Sequence, residues 1–348
     1  MNAVTSSDQD FRVPTWYLGN IDDYVVRKGA QPGELFAAAG IDPAQVVPGG
    51  WVSSGQFFTL LREAARLSGN EGFGLVTGSE MTPASHGALG IAVLSSPTVR
   101  DAVLTLTRFF RTRTPLVIID ATLDTADASI SISEAAVLGE AYRPMMELIM
   151  STIINALRAL TLGQFQATEI SFDYPAPAHL RQYETLLRAP LRFDATRTSV
   201  RFNARFLDAP LALVDRTAAR EAMEQCQHEL DDLNRRTDLR DRVRARLLRH
   251  AGDFPDCARV AGDLHMTERT LRRKLAELGT SFQQILADTR RQLAEHLLRD
   301  SRMSVGEIAE RLGYSDPSNF ANAFRQWTGQ GPRDFRQQSV AAPKKAGE

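Results

Sequence analysis

The chain has 348 residues, 43% hydrophobic and 24% charged, with a formal net charge of −1; this balance is ordinary for a globular protein, and the length suggests two domains. No apolar run approaches the roughly 18 residues of a membrane span, and Met1 to Asp10 lacks the basic-then-apolar pattern of a signal peptide. Only Cys226 and Cys257 occur, with no partner at metal-ligand spacing, which argues against a disulfide framework or a metal or cofactor site and for a reducing, cytoplasmic setting.

In chain order, Ser54 to Leu67 places Phe57, Phe58, Leu61 and Ala65 on one face at helical period. Thr98 to Phe110 does the same with Val99, Ala102, Val103, Leu106 and Phe110. Pro115 to Ala121 and Ala128 to Ser133 read as two strands across the turn-rich Asp124 to Asp127. Tyr142 to Leu162 predicts a long apolar helix, followed by strands at Thr168 to Phe172 and Ser199 to Phe202. These elements make an α+β domain large enough to bury its own core. Asp215 to Asp232 is a polar helix, read as an inter-domain or dimerising element. Beyond Arg240 the pattern is helical only, in short pieces.

The net charge divides unevenly. Residues 240–338 hold about 18 Lys/Arg against about 13 Asp/Glu, a balance near +5 that leaves about −6 for the remainder. Nearly all these cations are arginines, whose planar fork suits phosphate and guanine edges.

The strongest signal is an internal repeat. Val260-Ala261-x-x-Leu264-His265-Met266-Thr267 recurs 48 residues later as Ile308-Ala309-x-x-Leu312-Gly313-Tyr314-Ser315. One extra residue in the second copy then aligns Leu271 and Leu275 with Phe320 and Phe324. Each copy reads as a short helix, a tight turn and a second helix. Thr267 and Asp316 are the expected caps of the second helices, with Pro317 at the first helical position. Leu271 and Leu275 must face inward, so Arg269, Arg272, Arg273 and Lys274 project outward. Four cations so close repel one another unless an anion lies opposite, and such a helix fits a major groove. Between the copies, Ser281 to Arg299 predicts a spacer helix of roughly 28 Å, against about 34 Å between successive major-groove faces.

With those residues in hand, the stretch from Arg240 to Gln338 resembles the DNA-binding domain of the AraC/XylS family of bacterial transcription regulators. Val260-Ala261, Thr267-x-x-x-Leu271-x-Arg273 and Ile308-Ala309-x-x-Leu312-Gly313-Tyr314 carry it, as do Asn319-Phe320, Ala323-Phe324-Arg325, Gly329 and Gly331-Pro332-x-x-Phe335-Arg336. The resemblance implies base reading by Arg269, Arg272 and Arg273 and, in the second copy, by Ser318, Asn319 and Asn322. Phosphate contacts are expected of Lys274, Arg325 and Arg336. The chain departs from some members at His265, where they have glycine, and at Pro317 and Ser318, where they carry longer polar side chains. Leu35 to Asp42, Gly72-Phe73-Gly74-Leu75 and His86-Gly87-Ala88-Leu89-Gly90 resemble the effector domain of the ornithine- and lipid-responsive branch. That likeness implies ligand-controlled activation, often with dimerisation.

The expected order is an N-terminal segment (1–20), an effector domain (21–210), a linking helix (211–237), a DNA-binding domain (238–338) and a disordered tail (339–348). The helix-turn-helix units are placed at 256–278 and 304–328. Expected partners are double-stranded DNA, a small effector of unknown identity, RNA polymerase and a second copy of the chain, with no membrane. Two other readings stay open: an enzyme targeted to DNA, and a ligand-independent regulator controlled by oligomerisation.

Other features read as structural. His86 has no carboxylate or nucleophile at an interpretable spacing, and His250, His265 and His296 are not spaced as metal ligands. Gly69 to Gly78 lacks the lysine and the strand-to-helix setting of a phosphate loop. The Phe57/Phe58 and Phe109/Phe110 pairs are assigned to the core, though some apolar residues there could line an effector pocket. Arg108, Arg111 and Arg113 are assigned to the surface in preference to an anionic effector.

Overall fold

The computed structural model describes residues 12–47, 49–123, 126–211, 215–250, 252–301 and 303–341. They divide into two compact units, one reaching to Ser133 and running again from Glu140 to Thr237, the other made of Glu134–Gly139 and the chain from Asp238 onward.

The first unit mixes helices and sheet. Strand β1 (Arg12–Pro14) pairs antiparallel with β2 (Trp51–Ser53), around helices α1 (Leu18–Arg27) and α2 (Glu34–Ala38). Helices α3 (Ser54–Ser68), α4 (Phe73–Glu80), α5 (Ala88–Leu94) and α6 (Val99–Phe109) follow. Then come β3 (Val117–Thr122), β4 (Asp127–Glu134), α7 (Tyr142–Leu160), β5 (Ala167–Ser171), α8 (Leu180–Leu187), β6 (Leu191–Arg192), β7 (Thr198–Asn203) and α9 (Arg216–Arg236). The larger sheet has the order β3-β4-β7-β5-β6; β7 runs antiparallel to β4 and β5, while β5 and β6 are parallel. Of the turn expected between β3 and β4, residues 124–125 lie outside the described residues.

Helix α7 is buried nearly all round, from Met145 through Leu157, as an apolar core helix must be. Its close neighbour is α4, and the glycine-rich stretch explains how they approach. A Cβ on Gly74 would collide with the Pro144 carbonyl, and one on Gly78 with the Leu148 carbonyl. These glycines bring two backbones together.

Helix α3 starts in a capping box between Ser53 and Gln56. Its buried face is Phe57, Leu60, Leu61 and Ala64, turned from the expected stripe, so Leu60 and Ala64 replace Phe58 and Ala65 against the core. Helix α9, polar as expected, packs on α5 and buries Ala222, Cys226 and Leu233.

The second unit is helical: α10 (Leu239–Arg249), α11 (Cys257–Asp263), α12 (Glu268–Glu277), α13 (Phe282–Asp300), α14 (Val305–Arg311), α15 (Pro317–Thr328) and α16 (Pro332–Ala341). It holds two apolar clusters. Val260, Ala261, Leu271 and Leu275 join Phe282 and Ile285 from the start of α13. Ile308, Ala309, Phe320 and Phe324 join Leu293, Leu297 and Leu298 from its end. One helix thus supplies a wall to each cluster, as a spacer between two helix pairs must. Residues 342–348, most of the stretch expected to be a disordered tail, lie outside the described residues; α16 reaches Ala341.

Candidate nucleic-acid interface

The two helix pairs are built alike, down to single hydrogen bonds. In the first turn Leu264 N–H donates to the Val260 carbonyl at 3.1 Å and Met266 N–H to that of Ala261 at 2.9 Å. In the second, Leu312 N–H donates to Ile308 and Tyr314 N–H to Ala309, both at 2.9 Å. Both helices end in the same left-handed closure, which satisfies carbonyls that the helix leaves open. Gly313 provides it with φ 75°, and His265, the departure noted in the sequence, adopts it with φ 55°.

The second helices begin where the residues demand. The Thr267 hydroxyl accepts from Thr270 N–H at 3.2 Å, and Asp316 Oδ1 accepts from Ser318 N–H at 2.7 Å ahead of Pro317. Each cap meets an otherwise orphan donor.

On α12, Leu271 and Leu275 are fully buried, while Arg269, Arg272, Arg273 and Lys274 are exposed. The expected mutual repulsion is relieved within the helix itself. Arg272 pairs with Glu268 at 2.6 Å and Arg273 with Glu277 at 2.7 Å, each four residues away. Glu268 also holds the Arg272 guanidinium more firmly protonated than usual. At 60% and 65% side-chain exposure, these pairs cost little to exchange for another anion.

On α15, Ser318, Asn319, Asn322 and Arg325 are exposed, and Phe320 and Phe324 are fully buried. The spacing of Ser318 and Asn322 sets them on one face. Arg336 behaves differently from the expectation of a phosphate contact. It is half-buried, and its Nε donates to the Leu298 carbonyl at 3.1 Å. A guanidinium on the last turn of α13 closes that helix and favours its dipole, so its Nε is engaged inside the protein while Nη2 has no hydrogen-bond partner among the described residues.

Sequence reasoning missed Arg290. From the middle of α13 it lies 5.0 Å over the Phe254 ring and 5.1 Å over the Tyr314 ring. Phe254 packs against both apolar clusters, so this cation braces the spacer against the turn of the second pair. An arginine four residues after a buried-face position carries no distinctive spacing, because its partners are remote in sequence. The Glu268/Arg272 and Arg273/Glu277 pairs, by contrast, were readable from their i,i+4 spacing.

In the first unit, Arg113 corrects the surface assignment made for it. The residue is 1% exposed, stacked 4.1 Å over Trp16, with Nη1 donating to the His86 carbonyl at 3.1 Å and an ion pair to Glu229 of α9. Arg108 stays exposed, donating to Gln227 at 2.7 Å. His86 is buried, its Nδ1 2.6 Å from the Tyr17 hydroxyl. Burial, with the Arg113 charge adding to it, pushes the His86 pKa down to about 4. His296 is buried as well. Among the described residues no group of His, Cys, Asp and Glu is arranged to hold a metal ion, and no helix is long and apolar enough to cross a membrane.

Comparison with known proteins agrees over both units. Residues 29–211 match the N-terminal arabinose-binding domain of AraC transcription regulators, and residues 260–338 match a helix-turn-helix domain. The chain is 34% identical to the ornithine utilization regulator of Pseudomonas aeruginosa over 93% of this chain and 96% of that one. It is 31% identical to a helix-turn-helix transcriptional regulator of Mycobacterium bovis, over 94% and 96% of the two chains. Among solved structures it is similar to the transcriptional regulator CdpR of Pseudomonas aeruginosa, with 25% identity, a TM-score of 0.44 and coverage of 92% and 98%.

Proposed function

The chain belongs to the AraC family of DNA-binding transcription regulators, and from that premise we propose that it is an effector-controlled, sequence-specific activator. One observation carries the reading: α12 hides two leucines and offers four cations to solvent, and the matching helix of the second pair offers Ser318, Asn319 and Asn322.

In this reading Arg269, Arg272 and Arg273 exchange Glu268 and Glu277 for guanine O6 and N7 or for phosphates, the acceptors their fork fits. Ser318, Asn319 and Asn322 read the neighbouring groove through shorter side chains. Lys274 and Arg325 contact phosphates, which position the protein without conveying sequence. A spacer of roughly 28 Å against a groove repeat of about 34 Å asks the duplex to bend, or one helix to dock less deeply. The first unit binds a small molecule, and a second copy of the chain and RNA polymerase complete the assembly in the cytoplasm.

The test is selection of binding sites from random duplexes with the purified full chain. The expected outcome is an enriched two-part motif, its halves about one helical turn apart, with guanines in the half read by α12. Recovery of duplexes with no shared sequence would overturn the reading.

A further inference from the structure

The His86 stretch, set aside above as structural, borders a cavity inside the first unit. About 30 Å³ is open there, between α5, α6 and α7. The walls are Val93 of α5, Val103 and Leu106 of α6, and Ile153 and Ala156 of α7, with His86 and Thr152 the only polar residues among those lining it.

Both polar groups are underused. Among the described residues the Thr152 hydroxyl has only the Met81 sulfur, at 3.6 Å, a weak acceptor. The Tyr17 hydroxyl takes up His86 Nδ1 at 2.6 Å, and burial keeps the ring neutral, so Nε2 is left to donate or accept according to the tautomer. His86 and Thr152 are therefore two neutral polar groups beside an apolar space. No charged side chain lines it, and the nearby Arg113 guanidinium is occupied by Glu229, Trp16 and the His86 carbonyl. An ionised molecule would be buried there without a counter-charge.

One wall, α5, ties the cavity to its surroundings. Gly90 is pressed so closely on the Pro83 carbonyl that a Cβ would overlap it, which seats α5 directly on the Pro83–His86 turn. Helix α5 packs on α9, and α9 is also held by the Arg113–Glu229 pair. The present opening has room for about one water, so a larger occupant must shift a wall, and a shift of α5 would be passed to α9, on which it packs.

We propose that this cavity is the effector site and that it takes a compact, uncharged, largely apolar molecule with one polar group, placed beside His86 and Thr152. The inference rests on the effector-controlled reading above and adds to it a site and a chemical class. Displacement of α5 and α9 is how occupancy is felt.

The probes are 2-heptanone, heptanoate and heptylamine, added to the full chain and followed by thermal shift and titration calorimetry. The ketone is expected to bind saturably and raise the melting temperature, and the two ions to bind far more weakly. Thr152→Val removes one donor and should weaken the ketone about tenfold. Ala156→Phe fills the space and should abolish binding, with circular dichroism confirming the fold. Should Ala156→Phe not fold, Val103→Ala enlarges the cavity and should shift preference toward a longer ketone.

Binding of heptanoate or heptylamine as tight as the ketone overturns the proposal, as does no binding of any probe, or ketone binding indifferent to Thr152→Val and to the cavity variants. The two readings fail separately. A small molecule that alters DNA affinity regardless of these variants leaves effector control intact and removes this site. Ketone binding that obeys the variants without changing DNA affinity leaves the site and removes the control.

Discussion

His265 and Gly313 stand at the same point of two helix-turn-helix turns, 48 residues apart, and both hold a left-handed backbone, with φ of 55° and 75°. The hydrogen bonds around them are superimposable, so the turn geometry is imposed by the helix pair. Only glycine adopts it without strain.

His265→Gly is therefore expected to stabilise the second unit by up to about 1 kcal/mol, less whatever the glycine adds in unfolded-chain entropy. Gly313→Ala should cost more than about 1 kcal/mol, since its Cβ would also press Arg290 at 3.3 Å and the Gly252 carbonyl at 3.4 Å. Urea denaturation of both variants decides this. A stabilising Gly313→Ala would contradict the account.

Arg273→Ala should weaken cognate DNA by about 1 to 3 kcal/mol and relax preference at one base. Its folding stability should barely change, because the Glu277 pair it loses is exposed and worth little. Affinity titrations on cognate and scrambled duplexes, repeated over a range of salt, give both answers. Binding should fall steeply with salt; equal losses on both duplexes would remove Arg273 from base reading.

Arg290→Ala should loosen the spacer from the second turn. Two cation–π contacts in a half-buried setting suggest a loss of roughly 1 to 3 kcal/mol. The expected signature is a lower melting temperature together with weaker DNA binding. Since Arg290 is half-buried over Phe254 and Tyr314, base preference should be unaltered in the selected motif. A changed motif would mean that Arg290 touches DNA.

His86 predicts a pH dependence in the first unit. Its pKa is near 4 in the fold and about 6.5 in the unfolded chain. Between those values the unfolded chain takes up a proton that the folded one refuses. Stability is thus full above about pH 6.5, declines by about 1.4 kcal/mol per pH unit, and levels below about pH 4, a loss of roughly 3 kcal/mol. Tryptophan fluorescence in a Trp327→Phe background isolates this unit, and His86→Gln should flatten the slope.

Gly78→Ala should destabilise the first unit by about 1 to 3 kcal/mol, because the added methyl overlaps the Leu148 carbonyl on α7. A melting temperature unchanged from the parent would show that α4 and α7 can part without penalty.

The second unit was largely legible in advance because its information is local. Caps at Thr267 and Asp316, the buried pairs Leu271/Leu275 and Phe320/Phe324, and the repeat itself lie within a few residues of what they determine. The α+β character of the first unit was visible too, in the period of α3, α6 and α7 and the alternation in β4. Short elements such as α1, α2, α5 and β6 were not, since each owes its existence to neighbours distant in sequence.

What the amino-acid order settled alone was therefore which side chains turn outward on α12 and α15, through helical period and capping. What required the folded molecule was the fate of individual arginines. Arg113 and Arg336 have the composition of surface residues, yet one is sealed against Trp16 and Glu229 and the other is half-buried with its Nε on the Leu298 carbonyl. A guanidinium is drawn to whichever acceptor the fold sets beside it, and chain position carries no record of acceptors tens of residues away.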